Sequence, residues 1–247
     1  WVADGGRDSL LARIGRPAVR DRLKIEIETG SDGWWNIVEA SGGWDGIVLV
    51  NARNTENARF EGMTIAEIAE ATGDHPADAA WDLVGQGEGR VMAIYHMMSE
   101  DDVQWALQRR WISIGSDAGA ALTPGVVDGL GMPHPRSYGT FPRVLARYVR
   151  DTETLSLEEA IRKMTSWPAT RMGLKRRGVL QEGAWADITI FDLDQVKDLA
   201  TYDDPFLFPE GIEYVLVNGV IVVEDGGVHT GARPGHVLYG PGRVQEH

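Results

Sequence analysis

Apolar positions in this chain form short runs and helical stripes over most of its length, and strict alternation towards its end. Asp8 or Ser9 caps a short predicted helix from Leu10 to Gly15, and Pro17 sits at the start of a second, Ala18 to Glu28, which ends at Gly30. Trp35 to Glu39 reads as a strand, Ser41-Gly-Gly43 breaks it, and the β-branched run Ile47 to Val50 reads as the next. Thr64-Ile-Ala-Glu67 is a capping box, in which two side chains satisfy each other's free backbone donors, and it predicts a helix to Thr72. Pro76 starts another helix through about Val84, and Arg90 to Tyr95 is a strand. Ser99-Glu-Asp-Asp102 opens a helix to about Gln108 with acidic residues at the positive end of the helix dipole. Trp111 to Ile114 is then a short strand that Gly115 and Ser116 end, and the chain re-enters a helix at about Phe141. Ser156-Leu-Glu-Glu159 is a second capping box, for a helix through Thr165, and a short helical turn reaches Met172. Strand and helix alternate here as parallel βα units do.

From Lys175 onward the texture changes. Ile188-Thr-Ile-Phe191 alternates, and Tyr214 to Val217 and Val220 to Val223 flank Asn218-Gly219, a strong hairpin signal. No long helix is predicted in this tail. A boundary near residue 173 follows, with residues 1–173 as an α/β part and 174–247 as a small β domain.

Composition narrows the function classes. The chain has 247 residues, 43% of them hydrophobic, and a formal net charge of −13. That acidity argues against nucleic acid, which needs basic patches, and the short basic runs Arg109-Arg110 and Lys175-Arg176-Arg177 do not reverse it. No apolar stretch approaches the ~20 residues of a membrane span, so no membrane partner is expected and the expected compartment is cytoplasmic. There is no cysteine, hence no disulfide and no thiolate nucleophile or metal ligand. The spaced glycines from Gly85 to Gly89 have no accompanying lysine and read as a linker.

The chemistry gathers between Trp111 and Pro142. Asp117 is expected at the carboxyl end of a strand, the rim where ligands bind in α/β proteins. It can be a proton shuttle, a metal ligand or a turn residue, and the residues alone leave all three open. Arg136, in a stretch stiffened by Pro135, offers a guanidinium fork suited to a planar carboxylate. His96 falls at the end of the preceding strand, where an imidazole lines the same mouth or simply packs.

The run Gly115-Ser-Asp117, with His134-Pro-Arg136-Ser-Tyr-Gly-Thr-Phe-Pro-Arg143-Val-Leu, resembles the N-acyl-D-amino-acid deacylases of the amidohydrolase superfamily. The similarity runs from about Trp1 to Pro241 and corresponds to the C-terminal half of such an enzyme. It implies an α/β fold: the C-terminal part of a (β/α)8 barrel followed by a small β-sandwich, announced by the Gly183…Ala186-Asp187 pattern. It implies a zinc-dependent hydrolase acting on small N-acyl-D-amino acids, with Asp117 as proton shuttle and a possible metal ligand. Arg136 would bind the substrate carboxylate, with Ser41 and His96 as further substrate contacts. Asp187 reads as a turn-orienting residue.

One departure is plain. The superfamily's His-x-His metal pair does not occur in this sequence. A catalytic zinc normally takes three protein ligands, so most ligands are expected from a separate polypeptide corresponding to the N-terminal half. Two other readings stand beside this one: a dihydroorotase- or hydantoinase-like cyclic amidase, and a metal-free binding or assembly module.

Overall fold

The computed structural model describes residues 1–30, 33–119 and 133–239. Among the described residues, contacts divide the chain into two compact units, residues 1–98 with 133–134 and residues 99–119 with 135–239. Much of the expected Gly-rich loop after Asp117 lies outside the described residues.

The first unit begins with α1 (Arg7–Ile14) and α2 (Pro17–Thr29). Pro17 occupies the first helical turn of α2, as the sequence indicates. α1 starts earlier than Asp8 or Ser9 would place it: Gly6 precedes its first residue, and no side chain caps that end. The expected strand at Trp35 is instead a short helix, α3 (Ile37–Ala40). Asn36 accepts a hydrogen bond from the Glu39 amide at 3.3 Å, so a local cap overrides the β-like composition of Trp-Trp-Asn-Ile-Val.

β1 (Ile47–Asn51) leads to α4 (Ile65–Thr72), whose capping box forms in full between Thr64 and Glu67. α5 (Pro76–Gln86) follows directly, with the His75 ring accepting from the Ala77 amide at 3.2 Å. β2 (Met92–Tyr95) closes the set. Leu49, Ile65, Ile68, Ala79 and Leu83 form one core between β1 and the two helices. β1 and β2 pair antiparallel, Ile47 facing Tyr95 and Leu49 facing Ala93, where the alternation pattern predicts parallel strands. The reason lies in the connection. A single helix returns the chain for a parallel strand, whereas the tight helix–turn–helix of α4 and α5 reverses it once more.

The second unit opens with α6 (Glu100–Leu107), capped by Ser99. Trp111 to Ile114 is not a strand, and no strand pairs with it among the described residues. Burial still alternates along it, with Ile112 and Ile114 half-buried and Trp111 and Ser113 exposed. Composition and alternation are strand-like, but a ladder needs a second backbone, and none among the described residues pairs with this one.

α7 (Arg136–Arg143) begins directly after Pro135, earlier than the expected start near Phe141. Pro142 lies inside it, removes a backbone donor, and the helix continues as a π-helix, Val144–Asp151. α8 (Leu157–Met164) and α9 (Ser166–Arg171) follow. The Ser156 hydroxyl caps α8 by accepting from the Glu159 amide at 3.3 Å, while the Glu159 carboxylate turns to Arg162 at 2.7 Å. Leu107, Val144, Tyr148, Leu155 and Ala160 make one core; Leu145, Ala146 and Val196 make another.

Four antiparallel strands then pair in chain order: β3 (Ile188–Phe191), β4 (Ile212–Val217), β5 (Val220–Glu224) and β6 (Val228–His229). Asn218 and Gly219 take φ of 51° and 81°, the left-handed pair that a two-residue hairpin requires. Among the described residues, no helix is long and apolar enough to cross a membrane.

Candidate active site

Asp117 and Arg136 come together. Arg136 Nη1 lies 3.1 Å from Asp117 Oδ2. The carboxylate is 88% exposed, and its residue sits at φ 49°, a left-handed conformation that costs a non-glycine residue energy and recurs at functional positions. The Ser116 hydroxyl accepts from the Ala118 amide at 3.3 Å and shapes the turn around it. Arg136 is the first residue of α7, at the positive end of the helix dipole, where a carboxylate is favoured and a guanidinium is not.

Just along α7, the Tyr138 ring meets Phe208 edge-on at 5.5 Å and Phe206 at 6.3 Å. Phe208 in turn lies 5.0 Å from the His229 ring, so the segment before β4 braces this helix.

Ser41 and His96 belong to the first unit, where they share a neighbour. His96 donates its amide to Gly46 O at 2.8 Å, and its Nδ1 lies 3.3 Å from the same oxygen. A Cβ on Gly46 would lie 1.7 Å from Ser41 O, so only glycine fits there. Ser41 is 5% exposed, and its hydroxyl has no hydrogen-bond partner among the described residues. His96 itself is exposed.

Asp187 does what its sequence context suggests. Its Oδ1 accepts from the Asn218 amide at 2.8 Å, its Oδ2 pairs with Arg177, and Arg177 donates to Asn218 Oδ1 at 2.6 Å. Burial pushes this carboxyl up, but the Asn218 amide and the Arg177 guanidinium outweigh it and hold the pKa below the ordinary aspartate value.

Sequence reading misses one feature altogether, the fully buried Lys163. Burial lowers its pKa, with the Glu159 carboxylate opposing that shift. Its spacing was the available signal: Lys163 lies one helical turn from Ala160, on the stripe of α8 that packs inward.

The sequence profile of the amidohydrolase family matches residues 101–223, a span that includes Asp117, Arg136 and the Asp187 hairpin. An N-acyl-D-glutamate deacylase from Alcaligenes xylosoxydans xylosoxydans is 42% identical over 185 residues, 75% of this chain and 35% of the relative. The chain belongs to the amidohydrolase family. A solved N-acyl-D-glutamate deacylase from Bordetella bronchiseptica, complexed with zinc and a phosphonate inhibitor, superposes with a TM-score of 0.66 at 31% identity. It covers 96% of this chain, which spans 53% of that structure. A solved D-aminoacylase gives a TM-score of 0.63 at 36% identity over 75% of this chain and 36% of its own. This amidohydrolase chain therefore matches the C-terminal part of its deacylase relatives and has their α/β amidohydrolase fold.

The Bordetella neighbour is complexed with zinc, and another solved D-aminoacylase, at a TM-score of 0.63 and 36% identity, is described by its binuclear metal center. Among the described residues of this chain, no group of three or more His, Asp or Glu could hold a metal ion. Asp117 offers a single carboxylate.

Proposed function

We propose that this chain forms the C-terminal half of a zinc-dependent deacylase, which hydrolyses the amide bond of an N-acyl-D-amino acid to a carboxylate and a free D-amino acid. The observation that carries the reading is the exposed Asp117 carboxylate held 3.1 Å from Arg136, in a chain 42% identical to an N-acyl-D-glutamate deacylase. In this reading residues 1–173 are the C-terminal part of a (β/α)8 barrel and residues 174–247 a small β-sandwich domain. A second polypeptide, corresponding to the N-terminal half, supplies the histidine ligands. The described residues do not make a metal site by themselves, so zinc enters with that partner and Asp117 adds at most one ligand.

This chain's own residues have three tasks. Arg136 binds the substrate's α-carboxylate through charge-assisted hydrogen bonds. Asp117, bound loosely to the same arginine, takes a proton from the attacking water and delivers it to the departing nitrogen. Ser41, whose buried hydroxyl has no hydrogen-bond partner among the described residues, and His96 are the further substrate contacts of this reading.

The test co-expresses the chain with a polypeptide carrying the family's His-x-His pair, then measures metal content and turnover. Metal binding and hydrolysis of acyclic N-acyl-D-amino acids by the assembly, and by neither chain alone, are expected. Turnover of cyclic amides in their place would make it a hydantoinase-like enzyme. An assembly that binds metal and hydrolyses neither substrate would sink the catalytic reading.

A further inference from the structure

Four successive backbone carbonyls upstream of Asp117 are claimed by side chains of α8 and α9. Lys163 Nζ donates to Arg109 O and, at 3.0 Å, to Ile112 O. Arg162 Nη2 donates to Arg110 O at 2.7 Å, and Trp167 Nε1 to Trp111 O at 3.1 Å. In return the Ile114 amide donates to Lys163 O at 3.2 Å. Lys163 is fully buried, with Glu159 Oε1 at 3.8 Å as its counter-charge, and Arg162 stacks over the Trp167 ring at 5.1 Å.

A lysine that merely filled this space would be a poor choice. A buried ammonium carries a desolvation cost that an apolar side chain of similar volume avoids, so packing alone favours methionine or leucine. What the ammonium does, and they cannot, is bind two carbonyls of the segment that leads to Asp117. Only Gly115 and Ser116 separate the last tied residue, Ile114, from Asp117. At ~3.3–3.6 Å of reach per residue, the carboxylate stays within a small volume while the tie holds.

We infer that Lys163, with Arg162 and Trp167, is a positioning device for Asp117: a side-chain clasp ties the backbone that leads to it and fixes the point from which the carboxylate reaches Arg136 and the reacting amide. The inference rests on the deacylase reading for the identity of the reaction, though the clasp itself does not. Lys163 touches no substrate. It acts through the backbone from Arg109 to Ile114, leaving α7, which carries Arg136, independently anchored by Tyr138 against Phe206 and Phe208.

That separation predicts a split between turnover and binding. Lys163→Met in the assembled enzyme lowers kcat by about 10²-fold, since displacing a catalytic group by about an ångström costs that much. KM, set through Arg136, stays within about a factor of two. Trp167→Phe removes one donor, keeps most of the ring, and lowers kcat about fivefold; it also serves if Lys163→Met does not fold. Lys163→Arg keeps the charge and donors and recovers part of the loss. Amide hydrogen exchange over residues 111–118 of the same proteins gives a readout free of activity, and exchange at Ile114 rises with each lost donor. Faster exchange at unchanged kcat in an active assembly overturns the inference, because the clasp would then be structural only. Unchanged exchange overturns it as well. An assembly whose wild type binds metal but hydrolyses nothing counts against the deacylase reading, and the exchange arm then decides the clasp alone.

Discussion

Asp187 and Asp117 each stand next to an apolar run, and each pairs with an arginine. Around Asp187 nearly everything is spoken for: one oxygen takes the Asn218 amide, the other takes Arg177, and the arginine is 11% exposed. The Asn218 side chain extends the lock by donating to Pro234 O at 2.7 Å. Around Asp117 the same chemical pair is loose, with the carboxylate 88% and the arginine 42% exposed, and the backbone is held at positive φ. A carboxylate that has given its lone pairs to a turn cannot serve a substrate. One that retains solvent access, within reach of a guanidinium fork, can. The comparison separates a carboxylate locked into a turn from one that keeps its solvent access.

The most severe way to break this comparison is to remove the charge of Asp117. Asp117→Asn in the assembled enzyme is expected to lose about 10²–10⁴-fold in kcat while Tm stays near wild type, since asparagine accepts the same local turn. Metal content measured on the same sample sharpens the result. Lost metal together with lost activity makes Asp117 a ligand first, and near-wild-type turnover removes it from the mechanism.

Arg136→Leu comes next. A charge-assisted contact contributes about 1.5–3 kcal/mol, so kcat/KM falls at least about tenfold for a carboxylate substrate. An analogue with an amide in place of the carboxylate should lose this sensitivity. Equal discrimination of acid from amide by mutant and wild type would assign the arginine another task.

Asp187→Asn is expected to do the opposite of Asp117→Asn. It costs about 1–2 kcal/mol of stability, discounted because 34% of the side chain meets solvent, and leaves kcat per folded molecule unchanged. Urea unfolding with active-site titration checks both halves of that statement.

The smallest effect is in pH dependence. The folded pKa of Asp187 lies below its reference of 3.8, so its contribution is fully present above that pH and disappears as pH falls through the folded value. The stability gap between wild type and Asp187→Asn should therefore be constant near neutrality and close in acid. A gap unchanged at pH ~2 would show that the Arg177 pair contributes nothing through ionisation.

The local rules in the sequence were sufficient for many elements that satisfy themselves within a few residues, though the Asp8 or Ser9 cap does not form and Glu159 leaves its capping box for Arg162. The Thr64–Glu67 box, Pro17 and Pro76 at helix starts, the Ser99 cap and the Asn218-Gly219 hairpin all need only near neighbours, and all form. Asn36 was missed: the aromatic, β-branched run around it read as a strand, and its cap starts a short helix instead. Asp117 and Arg136 were legible as candidates, because their residue types and loop setting suit an anion site. Their meeting at 3.1 Å was not, since the residues between them carry no spacing rule. The sequence also could not show what became of Trp111 to Ile114. Hydrophobic alternation states that a segment suits a strand, and the alternating burial agrees. Whether a ladder forms depends on another backbone arriving alongside, and here Lys163, Arg162 and Trp167 arrive from α8 and α9 in its place. The same limit explains the antiparallel β1–β2 pair, whose direction was set by two packed helices between the strands. Periodicity, caps and turns are properties of neighbouring residues and can be read from their order. Which distant group completes a backbone hydrogen bond is settled only when the chain has packed.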